Sequence, residues 1–115
     1  GVVFSHWTWL PPLRKQFAKA GTEFFNAGKQ VVIRLITPLR MSYEESYAKA
    51  FPFDKMIPDM LDPEMVEDMA KIVNEAVKDR LQVNLIINNR AGGNAPLIAE
   101  RIAERLHREK QQALF

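Results

Sequence analysis

Cysteine is absent from the sequence, and no long uninterrupted apolar run is present. Without cysteine the chain can form neither a disulfide framework nor a thiolate nucleophile or thiolate metal site. Apolar runs such as residues 30–36 are far shorter than the roughly 20 residues of a membrane-spanning helix. The sequence also lacks a charged segment that leads into an apolar one, as in a signal peptide, so we expect a cytoplasmic protein.

Net charge is small as well. Sixteen Lys and Arg residues against fourteen Asp and Glu residues give a net charge of +2. This excess alone does not predict nucleic-acid binding, because binding footprints show clustered positive charge. Charges of both signs alternate near the end of the chain, at Glu100, Arg101, Glu104, Arg105, Arg108, Glu109 and Lys110. This pattern is typical of a solvated helix face with local ion pairs.

Three short apolar runs predict β-strands: residues 2–5 leading to His6, residues 30–36, and residues 83–87. They are nearly continuous in apolar character, as is typical of strands buried in a parallel sheet. Apolar residues make up 47% of the 115 residues and charged residues 26%, which fits one soluble globular domain.

Helical patterns alternate with these strands. The first runs from Leu13 through Phe24 to a stop at Gly28, and the second from the N-cap Asp62 to about Arg80. The third follows the N-cap Asn94 and repeats apolar residues at Ile98, Ile102 and Leu106. Alternation of this kind predicts an α/β fold with parallel strands and right-handed crossovers.

The second strand is followed by a long connection, residues 37–61, which contains a predicted short helix from Ser42 to about Ala50. A connection of this length in a compact domain usually has a function or carries extra structure. Three strands are few for a parallel sheet covered on both faces. The chain therefore forms either a small doubly wound domain with exposed edges or part of a larger sheet.

Three segments carry a family resemblance: IINNRAGGNAPLIAERIAERL at 86–106, IRLITPLRMSYEESYAKAFPFDK at 33–55, and HWTWLPPL at 6–13. They resemble the C-terminal third of the YecE-like family, uncharacterised TIM-barrel proteins also called domain of unknown function seventy-two. The resemblance implies that residues 1–115 are a single partial domain, the C-terminal βαβαβα portion of a TIM (β/α)8 barrel. The N-terminal half would be absent, and the family implies no established reaction.

Functional groups of such barrels gather at the C-terminal ends of the strands. There the turn at Gly92 and Gly93 precedes a helix N-terminus, where converging N–H groups can hold a phosphate or carboxylate. We expect a site for a phosphorylated or other anionic ligand, built from Arg34, Asn88, Arg90, Gly92, Gly93 and Asn94. The alternative is that the glycines only form a tight turn and Asn94 only caps the helix.

Two of these residues, Arg34 and Asn88, have further structural explanations. Arg34 interrupts an apolar strand, so its charge either faces a ligand or is paired, with a structural ion pair as plausible as ligand contact. Asn88 and Asn89 project to opposite sides of their strand, so one of them is expected to face the interior of a barrel.

An aromatic cluster follows the first strand. Trp7 and Trp9 can form a stacking surface for a base or a sugar, and His6 is a weak candidate for a catalytic acid–base group near neutral pH. Aromatic residues at this spacing are more often packed under a loop. No carboxylate holds an obvious strand-end position.

No cluster of His, Asp and Glu has metal-ligand spacing, and no P-loop, dinucleotide fingerprint or nucleophile elbow is present, so we expect no metal and no cofactor. Catalysis is left open. The leading hypothesis is binding of an anionic small molecule. One alternative is a nucleic-acid-binding barrel, and another is a structural subunit whose exposed edges pair with the remaining half of the barrel or with a homo-oligomer partner.

Overall fold

The computed structural model describes residues 2–20 and 30–113, with side chains at 3–20 and 30–108. These residues form three strands, four α-helices and a 3₁₀ turn at Asn89–Ala91. In chain order the elements are β1 (Val2–His6), α1 (Leu13–Lys19), β2 (Gln30–Leu35), α2 (Tyr43–Ala50), α3 (Pro63–Lys78), β3 (Gln82–Ile87) and α4 (Ala95–Ala113). The predicted alternation of strands and helices is confirmed. The predicted continuation of α1 to Phe24 and its stop at Gly28 lie outside the described residues.

The strands form one parallel sheet in the order β1-β2-β3. Each strand therefore lies beside the strand that precedes it in the chain. The register aligns Ser5 with Arg34 and Arg34 with Ile86 in one row across the sheet. The mixed α/β class and the parallel sheet, both predicted from the sequence, are confirmed.

One face of the sheet is covered by helices. The apolar core joins Phe4, Ile33 and Leu35 from this face to residues of α1, α3 and α4. On the opposite face Val3 and Ile86 are 55% and 54% exposed. In the part of the chain that the structure describes, the sheet is thus not wound on both faces.

Side-chain caps set the beginnings of three helices. Asp62 accepts from Glu64 N–H at 2.9 Å, Ser42 from Glu45 N–H at 3.1 Å, and Asn94 from Leu97 N–H at 2.9 Å. The N-cap predictions for Asp62 and Asn94 are confirmed, and the predicted short helix begins after Ser42. Because these caps fix where α2 and α4 begin, they also fix the loops at the C-terminal edge of the sheet.

Helix α1 begins differently, because its N-cap residue Pro12 offers no side-chain acceptor. The backbone N–H of Arg14 instead donates to the carboxylate of Asp68 on α3 at 3.3 Å. The Arg14 guanidinium also lies 3.2 Å from that carboxylate. One side chain of α3 thereby orients α1, and with it the loop that connects β1 to α1.

Candidate functional site

A shallow pocket of about 350 Å³ lies at the C-terminal end of β1. We call it the aromatic pocket; its lining residues are Trp7, Thr8, Trp9, Leu10, Ser42, Tyr43 and Glu44. The first four follow β1, and the other three form the start of α2. Two loops that are distant in sequence therefore build one concave surface beside the ends of the strands.

Thr8 ties these two loops together. Its buried hydroxyl donates to the Met41 carbonyl at 2.7 Å and lies 2.8 Å from the hydroxyl of Thr37. Since the single hydroxyl proton of Thr8 goes to Met41, Thr37 donates to Thr8. Arg40 N–H donates in turn to the Thr8 carbonyl at 2.7 Å. Thr8 thus fixes the backbone between the two tryptophans.

Trp7 and Trp9, the predicted stacking residues, are 46% and 83% exposed. The structure places them at the surface and not packed under a loop. Large exposed aromatic side chains are unusual enough to mark candidate binding surfaces. Their role in stacking remains a prediction.

Arg90, in the 3₁₀ turn that follows β3, contacts one residue of the pocket lining, Tyr43. Its guanidinium carbon lies 4.2 Å from the centroid of the Tyr43 ring, within the range of a cation–π interaction. The Nε atom of Arg90 is buried, and no hydrogen-bond acceptor for it lies among the described residues. A cation thus stands at the edge of the aromatic pocket.

The backbone N–H donors of the glycine turn after β3 are already hydrogen-bonded within the chain. The N–H groups of Gly92 and Gly93 donate to the Asn89 carbonyl at 3.3 and 2.7 Å. Arg90 N–H donates to Asn88 Oδ1 at 3.0 Å, and Ala95 N–H donates to Asn89 Oδ1 at 2.7 Å. These four donors already have acceptors within the chain.

The outer side of this turn is covered as well. Ile57 N–H donates to the Gly92 carbonyl at 2.9 Å, and Asn94 Nδ2 donates to the Phe53 carbonyl at 2.8 Å. A Cβ atom at Gly93 would overlap the carbonyl oxygen of Lys55. The geometry therefore supports a tight turn with a cap, and it does not support an anion cradle at Gly92, Gly93 and Asn94.

The remaining predicted ligand contacts lie apart from the aromatic pocket. Arg34 is on the uncovered face of the sheet, where its Nε donates to Ser5 Oγ at 3.0 Å. Asn88 uses its side chain to cap the 3₁₀ turn, and its N–H donates to the Leu35 carbonyl at 2.9 Å. Among the predicted ligand-binding residues, Arg90 contacts Tyr43, which lines the pocket.

His6 is 2% exposed and shares the helix-covered face with Phe4. Burial lowers the pKa of its imidazole below the usual 6.5, although the carboxylates of Asp62 and Asp68 act in the opposite direction. A side chain this buried does not reach a ligand at the surface. The geometry thus gives no support to a catalytic role for His6.

The structure adds aromatic residues that are not among the predicted site residues. Tyr43, Tyr47 and Phe51 follow one another at intervals of four residues along α2 and its end. This spacing places side chains on one side of a helix and was the available sequence signal. The proximity of Tyr43 to Trp7 and Arg90 depends on how the loops fold and has no local signature.

Among residues 2–20 and 30–113, no group of three or more His, Asp and Glu side chains is arranged to hold a metal ion. Within the same ranges, none of the helices combines the length and apolarity needed to cross a membrane. No protein-family model, no curated protein and no solved structure matches the chain. The resemblance to the YecE-like family therefore rests on the three sequence segments that carry it.

Proposed function

We propose that the aromatic pocket binds a small ligand that combines a planar ring with an anionic group, such as a nucleotide. The observation that carries the proposal is the Arg90 guanidinium held 4.2 Å over the Tyr43 ring beside two exposed tryptophans. The rings of Trp7 and Trp9 would stack on the planar part of the ligand, and Arg90 would bind its anion.

The physical chemistry favours this division of roles. Trp and Tyr rings offer large contact areas with few rotatable bonds, so ordering them on a ligand costs little entropy. A guanidinium stacked on Tyr43 is already partly ordered and can present its N–H groups to a phosphate or carboxylate. Arg40 lines an adjoining groove together with Trp9, which adds a second cation near the pocket.

We propose binding without catalysis. Among the described residues that line the pocket, Glu44 is the one carboxylate and none is a histidine. A lone carboxylate beside a bound nucleotide lacks the acid and base pair that most hydrolytic mechanisms need. Anion binding at the strand ends, predicted from the sequence, remains part of the proposal. We assign it to Arg90 beside the aromatic pocket and no longer to the glycine turn.

Intrinsic fluorescence gives a direct test, because Trp7 and Trp9 are the only two tryptophans of the chain. The chain is titrated with AMP, adenosine and inorganic phosphate in parallel. We expect AMP to quench the fluorescence, adenosine to bind more weakly, and phosphate alone to bind weakest. Absence of AMP binding at millimolar concentration would contradict the proposal.

Variants separate the two parts of the ligand. Arg90→Gln should weaken AMP binding at least about tenfold and adenosine binding little, because a charged hydrogen bond contributes about 1.5–3 kcal/mol. Arg80→Gln, an exposed change just before β3 at the opposite edge of the sheet, is the matched control. If both variants bind AMP like the wild type, Arg90 does not hold the anion.

We also propose that the sheet is one sector of a (β/α) barrel, as the resemblance to the YecE-like family implies. Three features support this: the parallel strands follow chain order, the helices cover one face, and the opposite face carries Val3, Arg34 and Ile86. Inward-facing side chains of a barrel occupy such a face, and ligand sites lie where the aromatic pocket lies. Light scattering after size exclusion tests the proposal: we expect a defined oligomer, and a well-folded monomer would contradict it.

A further inference from the structure

The aromatic surface does not end at the pocket. From Tyr43 a row of rings continues along α2: the Tyr43 and Tyr47 centroids are 6.3 Å apart, and those of Tyr47 and Phe51 are 6.1 Å apart. The planes of neighbouring rings are inclined by only 20° and 27°. We call these three residues the aromatic row.

The row is exposed and well supported. Its members are 42–61% exposed, while Ser46 and Ala50 on the neighbouring side of α2 are buried. The Phe53 ring lies edge-on to both Tyr47 and Phe51, at centroid distances of 5.2 and 5.7 Å. Phe53 therefore holds the far end of the row in place and leaves its outer surface open.

The dimensions of the row suit a polymer better than a single small molecule. From Tyr43 to Phe51 the chain makes eight residue-to-residue steps, which span about 12 Å at a helical rise of 1.5 Å per residue. Neighbouring ring centroids are 6.3 and 6.1 Å apart, so a strand that places one base on each ring contacts the row with three bases. The Tyr43 end of the row is also the end that Arg90 covers.

We propose that the aromatic row extends the pocket into a site for a short single-stranded nucleic acid. The terminal nucleotide occupies the pocket, with its phosphate at Arg90, and the following bases stack along Tyr47 and Phe51. Stacking on aromatic side chains tolerates any base, so the site selects single strands without selecting sequence. The inference rests on the proposed function, since it places the first nucleotide in the pocket.

The distribution of charge makes the proposal specific. Arg90 contacts Tyr43 at the pocket end of the row and Arg40 lines the adjoining groove, while the acidic Glu44 lines the pocket itself. Few phosphates can be neutralised, so the salt dependence should be shallow, with a slope of logarithmic affinity against logarithmic salt of about −1 or less in magnitude. Stacking should then supply most of the gain in affinity with length.

The test is a length series of 5′-phosphorylated oligothymidylates of one to eight nucleotides, titrated by tryptophan fluorescence. We expect affinity to rise at least about tenfold from one to four nucleotides and to change little beyond four. A duplex of the same length should bind poorly because its base faces are covered. A neutral glucose tetramer tests the competing possibility that the row binds an oligosaccharide.

Variants of the aromatic row test whether its rings cause the rise in affinity with strand length. The double variant Tyr47→Leu with Phe51→Leu keeps apolar bulk but removes the aromatic rings, and it should bind one nucleotide normally while losing the rise with length. Val77→Leu, a change at an exposed apolar residue of α3, is the control. Circular dichroism of each variant checks that the total helix content is retained.

The possible results distinguish failure of this inference from failure of the proposed function. If one nucleotide binds but longer strands bind no better, the inference is overturned and the proposed function stands. If the glucose tetramer binds as tightly as the tetranucleotide, or if the double variant keeps the full length dependence, the inference is also overturned. If no nucleotide binds at any length, both fail together.

Discussion

The side-chain amide of Gln16 hydrogen-bonds both backbone groups of Ser5 at the free edge of β1. Ser5 N–H donates to Gln16 Oε1 at 3.0 Å, and Gln16 Nε2 donates to the Ser5 carbonyl at 2.7 Å. The other edge of β1 pairs with β2. A residue of α1 therefore occupies the position that a neighbouring strand would take, which blocks edge-to-edge association at this point.

Replacing Gln16 by Ala should lower the stability of the chain and promote its association. The loss of two hydrogen bonds to Ser5 is worth about 1–2 kcal/mol of unfolding free energy, and the freed edge becomes a template for strand pairing. Urea unfolding measures the first effect, and light scattering over a range of protein concentrations measures the second.

Lys15→Ala is the control for Gln16→Ala, because the neighbouring side chain is exposed on the same helix. Equal stability of the two variants would contradict the edge role. If the barrel proposal is right, the neighbouring strand must displace Gln16, so association should increase in Gln16→Ala even where stability falls.

The elements of this fold could be predicted because their signals are local. Apolar runs gave the strands, and Asp62 and Asn94 marked helix starts by residue type alone. The cap of α1 could not be predicted, because Asp68 approaches Arg14 only after α1 and α3 pack. The local sequence around α1 carries no information about a partner more than fifty residues away in the chain.

The candidate site was predicted only in part for the same reason. The exposed pair Trp7 and Trp9 follows from the position of a strand end, whereas the stacking of Arg90 on Tyr43 joins residues from different loops. The glycine turn shows the converse problem. Its sequence suggests free N–H donors, but the carbonyl of Asn89 takes the N–H groups of Gly92 and Gly93 once the 3₁₀ turn forms.

Alanine substitutions at the two glycines should have unequal effects. Gly93 has a φ of +119° and a backbone carbonyl in the path of a Cβ atom, whereas a Cβ atom at Gly92 would lie 3.2 Å from Ile98 Cδ1. We expect Gly93→Ala to cost about 3 kcal/mol or more and Gly92→Ala about 1 kcal/mol. Urea denaturation compares them, and equal losses would contradict the prediction.

The milder glycine variant also tests where an anion binds. Because the Gly92 N–H already donates to Asn89, folded Gly92→Ala should bind AMP as the wild type does. A large loss of AMP affinity in Gly92→Ala, with stability nearly intact, would return the anion site to the glycine turn.

The buried His6 should make stability depend on pH. Its pKa is lowered in the folded chain, so the unfolded chain takes up the proton first as the pH falls below about 6.5. Stability is therefore fully present above that pH and is lost as the pH falls towards the folded pKa. Thermal unfolding at pH 7.5 and 5.5 measures the loss.

His6→Leu isolates this contribution, because the variant and the wild type share every other titrating group. The difference in melting temperature between pH 7.5 and 5.5 should be smaller in His6→Leu than in the wild type. An unchanged difference would mean that protonation of His6 is not linked to folding, despite its exposure of only 2%.

Thr8 should position the two tryptophans without touching the ligand through its hydroxyl. Thr8→Val removes the hydrogen bonds to Thr37 and Met41, leaves the Thr37 hydroxyl without its acceptor, and should cost about 1–3 kcal/mol of stability. AMP affinity should fall several-fold, and acrylamide quenching of the fluorescence of Trp7 and Trp9 should change because the loop between the strand end and α1 is no longer fixed.

Thr8→Ser separates positioning from a purely structural role. It keeps the hydroxyl, so both AMP affinity and acrylamide quenching should return close to the wild-type values. If Thr8→Val lowers stability but leaves affinity and quenching unchanged, the loop is held by other contacts and Thr8 only supports the fold. If both variants lose affinity equally, the methyl group of Thr8 and its hydrogen bonds to Thr37 and Met41 are both needed to set the shape of the pocket.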